Sequence, residues 1–203
     1  MESKIKNKKE NTRRLAESAV MLALSTVLSE IAVFKLPYGG SVTLFSQLPM
    51  IVISYRYGVK WGSFVGLLSA VIQMLFGLEN FTYVSGLVPY LILVFADYIV
   101  AFGILGLGGM FKNKIKNQAV ALTTGGIVVS LVRYLCHFVS GITIWQSYAE
   151  GMSVWKYSLT YNGSFMIPEL IITAVGTIIV GSVFDLTSPE IKTLKRTQHT
   201  ESK

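Results

Sequence analysis

The chain has 203 residues, of which 52% are hydrophobic and only 14% charged, and its mean hydropathy is +0.54. A soluble domain carries about 25% charged residues, so this chain has too few to coat a water-facing globule. That excludes a soluble enzyme, a disordered tail and a nucleic-acid-binding domain, while the single Cys136 excludes a disulfide framework and a cysteine zinc cage.

In chain order, a basic segment comes first. Lys4, Lys6, Lys8, Lys9, Arg13 and Arg14 crowd residues 1–14, which read as a cytoplasmic N-terminal segment. A membrane-crossing helix needs about 20 mostly apolar residues. Six blocks meet or approach that length: 15–34, 42–55, 61–77, 87–110, 119–144 and 165–186. The second is the weakest, because it is short and contains Gln47 and Pro49, so it is expected to tilt, kink or reach only part way. No small-residue cleavage site follows the first block, which therefore reads as a span and not as a cleaved signal peptide.

The fold expected is all-α, with a six-helix membrane domain over residues 15–186 and a cytoplasmic tail over 187–203. The net charge of +7 is topological information. Fifteen of the 18 Lys and Arg lie in the N-terminal segment, at Arg56 and Lys60, at Lys112, Lys114 and Lys116, and in the tail at Lys192, Lys195, Arg196 and Lys203. With six spans these clusters share one side, and positive charge stays cytoplasmic. Both termini are thus expected in the cytoplasm and the protein in the cell membrane.

The connections on the other side differ in kind. Residues 35–41 carry Pro and Gly punctuation and read as a loop. Residues 145–163 form the longest expected connection and hold Trp145, Tyr148, Trp155, Tyr157 and Tyr161. Such aromatics suit either an interfacial belt or the wall of an outward pocket.

Charged groups at membrane depth face a cavity or a partner. Asp97 lies inside the fourth block, Arg133 and His137 share a helix face in the fifth, and Glu169 lies one turn into the sixth. An ion pair of Arg133 with Asp97 or Glu169 is one reading, and a polar pocket is the other. In the first block Ala16, Ala19, Ala23 and Thr26 form a stripe of small residues that permits close helix approach, inside this bundle or against another protein. Walker loops, Gly-x-Ser-x-Gly elbows and His-Glu-x-x-His are absent, which argues against an enzyme. No internal repeat supports a self-contained transporter.

Five ordered segments carry a resemblance: residues 37–42 (Pro-Tyr-Gly-Gly-Ser-Val), 53–62 (Ile-Ser-Tyr-Arg-Tyr-Gly-Val-Lys-Trp-Gly), 97–102 (Asp-Tyr-Ile-Val-Ala-Phe), 133–141 (Arg-Tyr-Leu-Cys-His-Phe-Val-Ser-Gly) and 157–162 (Tyr-Ser-Leu-Thr-Tyr-Asn). Together they resemble the thiamine-specific substrate-binding (S) components of energy-coupling factor transporters, over about residues 15–186. The resemblance implies a non-enzymatic, six-helix subunit, without a cofactor of its own. Such a subunit captures thiamine from outside and works with a transmembrane coupling subunit and two ATPases. It further implies that Asp97, Tyr98, His137, Trp145, Tyr157 and Asn162 contact the vitamin, and that Ala19 and Ala23 meet the coupling subunit. Some members have glutamate where this chain has Asp97, and the first outer loop here lacks the tryptophan that some members carry. An S component for another vitamin, or an intramembrane enzyme using His137 and Ser140, are the competing readings.

Overall fold

The computed structural model describes residues 2–194; the tail residues Lys195, Arg196 and Lys203 lie outside the described residues. The chain folds as a helical bundle of α1 (Glu2–Glu30), α2 (Leu48–Tyr57), α3 (Val59–Phe76), α4 (Leu87–Leu107), α5 (Gln118–Thr143) and α6 (Val154–Val183). Helices α3 to α6 are long and apolar enough to cross a membrane. Their outward faces carry Leu67, Phe95, Leu135 and Ile178, all exposed, as lipid-facing helices require. The expected basic segment is not separate, because α1 already begins at Glu2.

Two small antiparallel pairs depart from an all-helical fold. β1 (Ala32–Lys35) pairs with β2 (Ser41–Thr43) across a 3₁₀ turn at Pro37–Gly39, and β3 (Phe184–Asp185) pairs with β4 (Lys192–Thr193). The first hairpin takes Val42 and Thr43 out of the expected second span. What remains, α2, is about 15 Å long, half of a bilayer core. Pro49 opens it, where its missing N–H goes unneeded. Gly58 closes it at φ +87° and ψ 160°, a conformation open essentially to glycine alone. All seven residues of α2 from Pro49 to Tyr55 are buried. It is a core helix enclosed by its neighbours, and its Ile51 and Ile53 share one core cluster with Val65, Leu105, Leu122 and Val129.

Glycines bring the surrounding helices close. A β-carbon at Gly106 of α4 would lie 2.2 Å from the Gly62 carbonyl oxygen of α3. The Ser54 hydroxyl of α2 donates to the Gly106 carbonyl and accepts from the Gly109 amide at 2.9 Å. Such contacts replace the missing hydrophobic drive between helices in lipid.

The end of the bundle holding most of the described cations is knitted by Arg56, whose side chain is 3% exposed. It donates to both Glu17 carboxylate oxygens of α1, at 2.9 and 3.2 Å, and to the carbonyls of Leu186 and Pro189 beyond α6, at 3.2 and 3.1 Å. Lys112 donates to the Arg56 carbonyl at 3.2 Å, and burial followed by the Arg56 charge holds its ammonium below the usual lysine range.

The sixth apolar block is longer than its hydropathy suggests. Helix α6 begins at Val154, so Tyr157 and Asn162 sit on its first turns and not in a loop. Residues 154–162 contain Lys, Tyr, Ser, Thr and Asn, which lower the hydropathy, but no Gly or Pro to break a helix. The helix also runs through Pro168.

Candidate ligand site

At the end opposite Arg56, the bundle opens into a cavity of about 490 Å³. Its walls come from the end of α1, the β1–β2 hairpin, the 77–83 connection, α4, α5, Trp145 and the start of α6. Small-molecule sites span about 300–1,000 Å³.

The organising group is Asp97. Residues Leu93–Val100 of α4 adopt π-helical hydrogen bonding, a local widening that occurs often at functional sites. His137 Nδ1 lies 2.8 Å from Asp97 Oδ1, and the two side chains are each 13% exposed. The Ser140 hydroxyl donates to Oδ2, and the Trp145 indole N–H approaches the same oxygen at 3.4 Å. A carboxylate only accepts, so Nδ1 carries the hydrogen. The ring's Nε2 is buried without a partner. Asn162 Nδ2 donates to the carbonyls of His137 and Ser158 at 3.1 and 3.0 Å, and its carbonyl oxygen takes no hydrogen bond from the described residues. Gly141 makes room for that side chain, since a β-carbon there would lie 2.1 Å from Ser158 Oγ.

Aromatic rings form the walls. Trp145 meets Tyr83 at 6.1 Å and Tyr148 at 5.8 Å between centroids. Tyr157 stacks on Tyr161 at 5.6 Å, and Phe165 presents an edge contact to His137 at 5.9 Å. Tyr98 is buried between Phe81 and Phe102. Its hydroxyl donates to the Gly77 carbonyl at 2.9 Å and accepts from Asn80 Nδ2 at 2.9 Å, so it offers the cavity mainly its ring. All six expected contact residues (Asp97, Tyr98, His137, Trp145, Tyr157 and Asn162) therefore line one cavity.

Arg133 and Glu169 also line it, but neither Asp97 nor Glu169 comes within 4 Å of the guanidinium to form an ion pair. Glu169, 3% exposed, fastens the hairpin instead. Oε1 accepts from the Thr43 amide and from Thr43 Oγ1 at 2.6 Å, and Oε2 accepts from Gln47 Nε2 at 2.9 Å. Ser130 donates to Gln47 Oε1 at 3.0 Å. The Tyr161 hydroxyl donates to the Pro37 carbonyl and accepts from the Gly40 amide at 3.3 Å, so α6 holds the hairpin twice.

Sequence reasoning missed Asn80, Tyr83, Ser158 and Phe165, which carry no local signal and join the site only through the fold. Ser140 was readable as a partner of His137, but its hydroxyl serves Asp97, so no nucleophile–base pair is assembled. Ala19 and Ala23 do not line the cavity and sit on an exposed face of α1.

Lipid-facing helices around a polar cavity at one end define a multi-pass membrane protein with a small-molecule site. The chain belongs to the thiamine transporter protein family, whose sequence model matches residues 15–187. It is 35% identical over 181 residues to the thiamine transporter ThiT of Bacillus subtilis, covering 83% of this chain and 90% of that protein. It is 25% identical over 197 residues to the thiamine transporter ThiT of Lacticaseibacillus paracasei, covering 87% and 89%. A solved structure of ThiT from Listeria monocytogenes matches with a TM-score of 0.66 at 25% identity, over 83% of this chain and 92% of that one. These relatives are transport proteins and not enzymes.

The Glu169 cluster makes a test of the hairpin's anchorage. Leaving a buried donor unsatisfied costs about 1–3 kcal/mol, and Glu169→Ala strands the Thr43 amide and the Gln47 side-chain amide together. The variant is expected to lose about 3 kcal/mol in ligand-free thermal melts in detergent, with the Thr43 amide exchanging hydrogen faster. An unchanged melt would remove Glu169 as the anchor.

Proposed function

We propose that this chain captures thiamine on the outer side of the cell membrane and hands it to an ATP-driven complex as the substrate-binding subunit. The observation that carries the reading is the clustering of acceptors around Asp97. The Asp97 carboxylate and the Asn162 carboxamide line one cavity with aromatic rings and His137, and that set suits a cation rich in N–H donors. Thiamine has a permanently charged thiazolium, a flat aminopyrimidine with an amino donor, and a hydroxyethyl arm. A cation over an aromatic face gains about 0.5–2 kcal/mol, more when water is excluded. The Asp97 carboxylate offsets the ligand's charge, and its hydrogen bonds with charged groups are the strong kind.

The membrane arrangement proposed has six crossings, with α2 buried among the others, and both termini in the cytoplasm. It is supported by the basic end built on Arg56 and Lys112, which lies opposite the cavity. The handover is proposed to use Ala19 and Ala23, the coupling subunit meeting α1 there while two ATPases act on that subunit. Exposure of both alanines supports this, since the stripe is not consumed by packing within the bundle.

Asp97→Asn keeps the shape and removes the charge. It is expected to weaken thiamine binding by about 1.5–3 kcal/mol, roughly ten- to 150-fold in Kd. Trp145→Phe should lose less than Trp145→Ala, because phenylalanine retains a weaker π-face. Both follow from thiamine titrations read by tryptophan fluorescence or, for the Trp145 variants, by calorimetry. Unchanged affinity in Asp97→Asn and Trp145→Ala together would remove the site.

The handover has its own test. Ala19→Trp is expected to abolish ATP-dependent thiamine uptake in cells while the purified chain binds thiamine within about twofold of wild type. Loss of binding as well would place the stripe's role inside this bundle.

A further inference from the structure

One charged group in the cavity has no role in the scheme above. Arg133 lies one turn before His137 on α5 and lines the same cavity. Its guanidinium carbon sits 4.4 Å over the Phe102 ring, so one flat face of the group is covered and its N–H groups point elsewhere. Those groups make no hydrogen bond to any described residue, and Nε is buried without a partner. Both nearby carboxylates are already occupied. Asp97 takes His137, Ser140 and Trp145, and Glu169 takes Thr43 and Gln47.

A stacked arginine with an unused fork suits an oxygen acceptor, which it holds in fixed geometry. The cavity is therefore bipolar. Acceptor oxygens lie at Asp97 and Asn162, and a strong donor stands at Arg133. A purely cationic ligand would be repelled by that second pole, whereas a cation carrying an oxygen-bearing arm fits both.

Resting on the thiamine reading, we infer that Arg133 is a specificity-determining residue that receives the oxygen-bearing arm of the ligand, as the alcohol or as its phosphate ester. The guanidinium donates to the arm's oxygen while the cationic ring system stays at the Asp97 pole. Arg133 is thus a reader of the arm and not a structural counter-ion.

The test uses the purified full chain in detergent and three probes: thiamine, thiamine monophosphate and an analogue with a plain ethyl arm. Arg133→Met keeps the stem and removes the fork; Arg133→Lys keeps the charge without the fork. In Arg133→Met, affinity for thiamine should fall about tenfold, that for the monophosphate should fall further, and that for the ethyl analogue should stay within about twofold. Arg133→Lys should fall between wild type and Arg133→Met for the two oxygenated probes. An equal loss for all three probes would overturn the inference and make Arg133 structural. If neither variant folds, the wild type decides: it should hold thiamine several-fold more tightly than the ethyl analogue, and equal affinities would overturn the inference. A wild type that binds none of the three probes would fail the thiamine reading itself, a different result.

Discussion

A carboxylate in the apolar half of a bundle has to be surrounded by donors or neutralised, and in this protein Asp97 is surrounded. The donors come from three places: His137 and Ser140 on successive turns of α5, and Trp145 just beyond its end. Isolated charge burial costs far more than any single packing contact returns, so this cluster fixes how α4 meets α5 at the cavity end. Its second consequence is local. Asp97 takes the imidazole N–H and so fixes the orientation of the His137 ring in the cavity wall.

The two ends of the molecule are built by different physics. At the Arg56 end, glycine contacts between α3 and α4, the buried α2 and the Arg56 bridges to Glu17 and the 186–189 segment make a close-packed base. At the cavity end, the β1–β2 hairpin is held by side-chain hydrogen bonds to Glu169 and Tyr161.

Hydropathy made α3, α5 and most of α6 legible, because long apolar stretches leave few alternatives in lipid. It failed at the start of α6, where Lys156, Ser158 and Asn162 belong to a helix whose inner face lines a polar cavity. It also failed at block 42–55, where Thr43 joins a hairpin and α2 hides among other helices. The six residues that the resemblance singles out all line one cavity, and that convergence follows from the fold. The π-helical stretch around Asp97 was not legible, since it arises from packing and hydrogen bonding that no local propensity encodes. The expected ion pair of Arg133 failed for a related reason: the donors that occupy Asp97 and Glu169 come from elements distant in sequence.

On the proposed reading, the cavity recognises positive charge and not shape alone. The most direct measurement is calorimetric titration of the purified wild-type chain with thiamine and with a neutral isostere whose thiazolium is replaced by an uncharged aromatic ring of the same size. The structure predicts binding at least tenfold weaker for the neutral compound, a gap of about 1.4 kcal/mol. Equal affinities would contradict the account, because Asp97 and its aromatic cage would then be reading only the outline of the ligand.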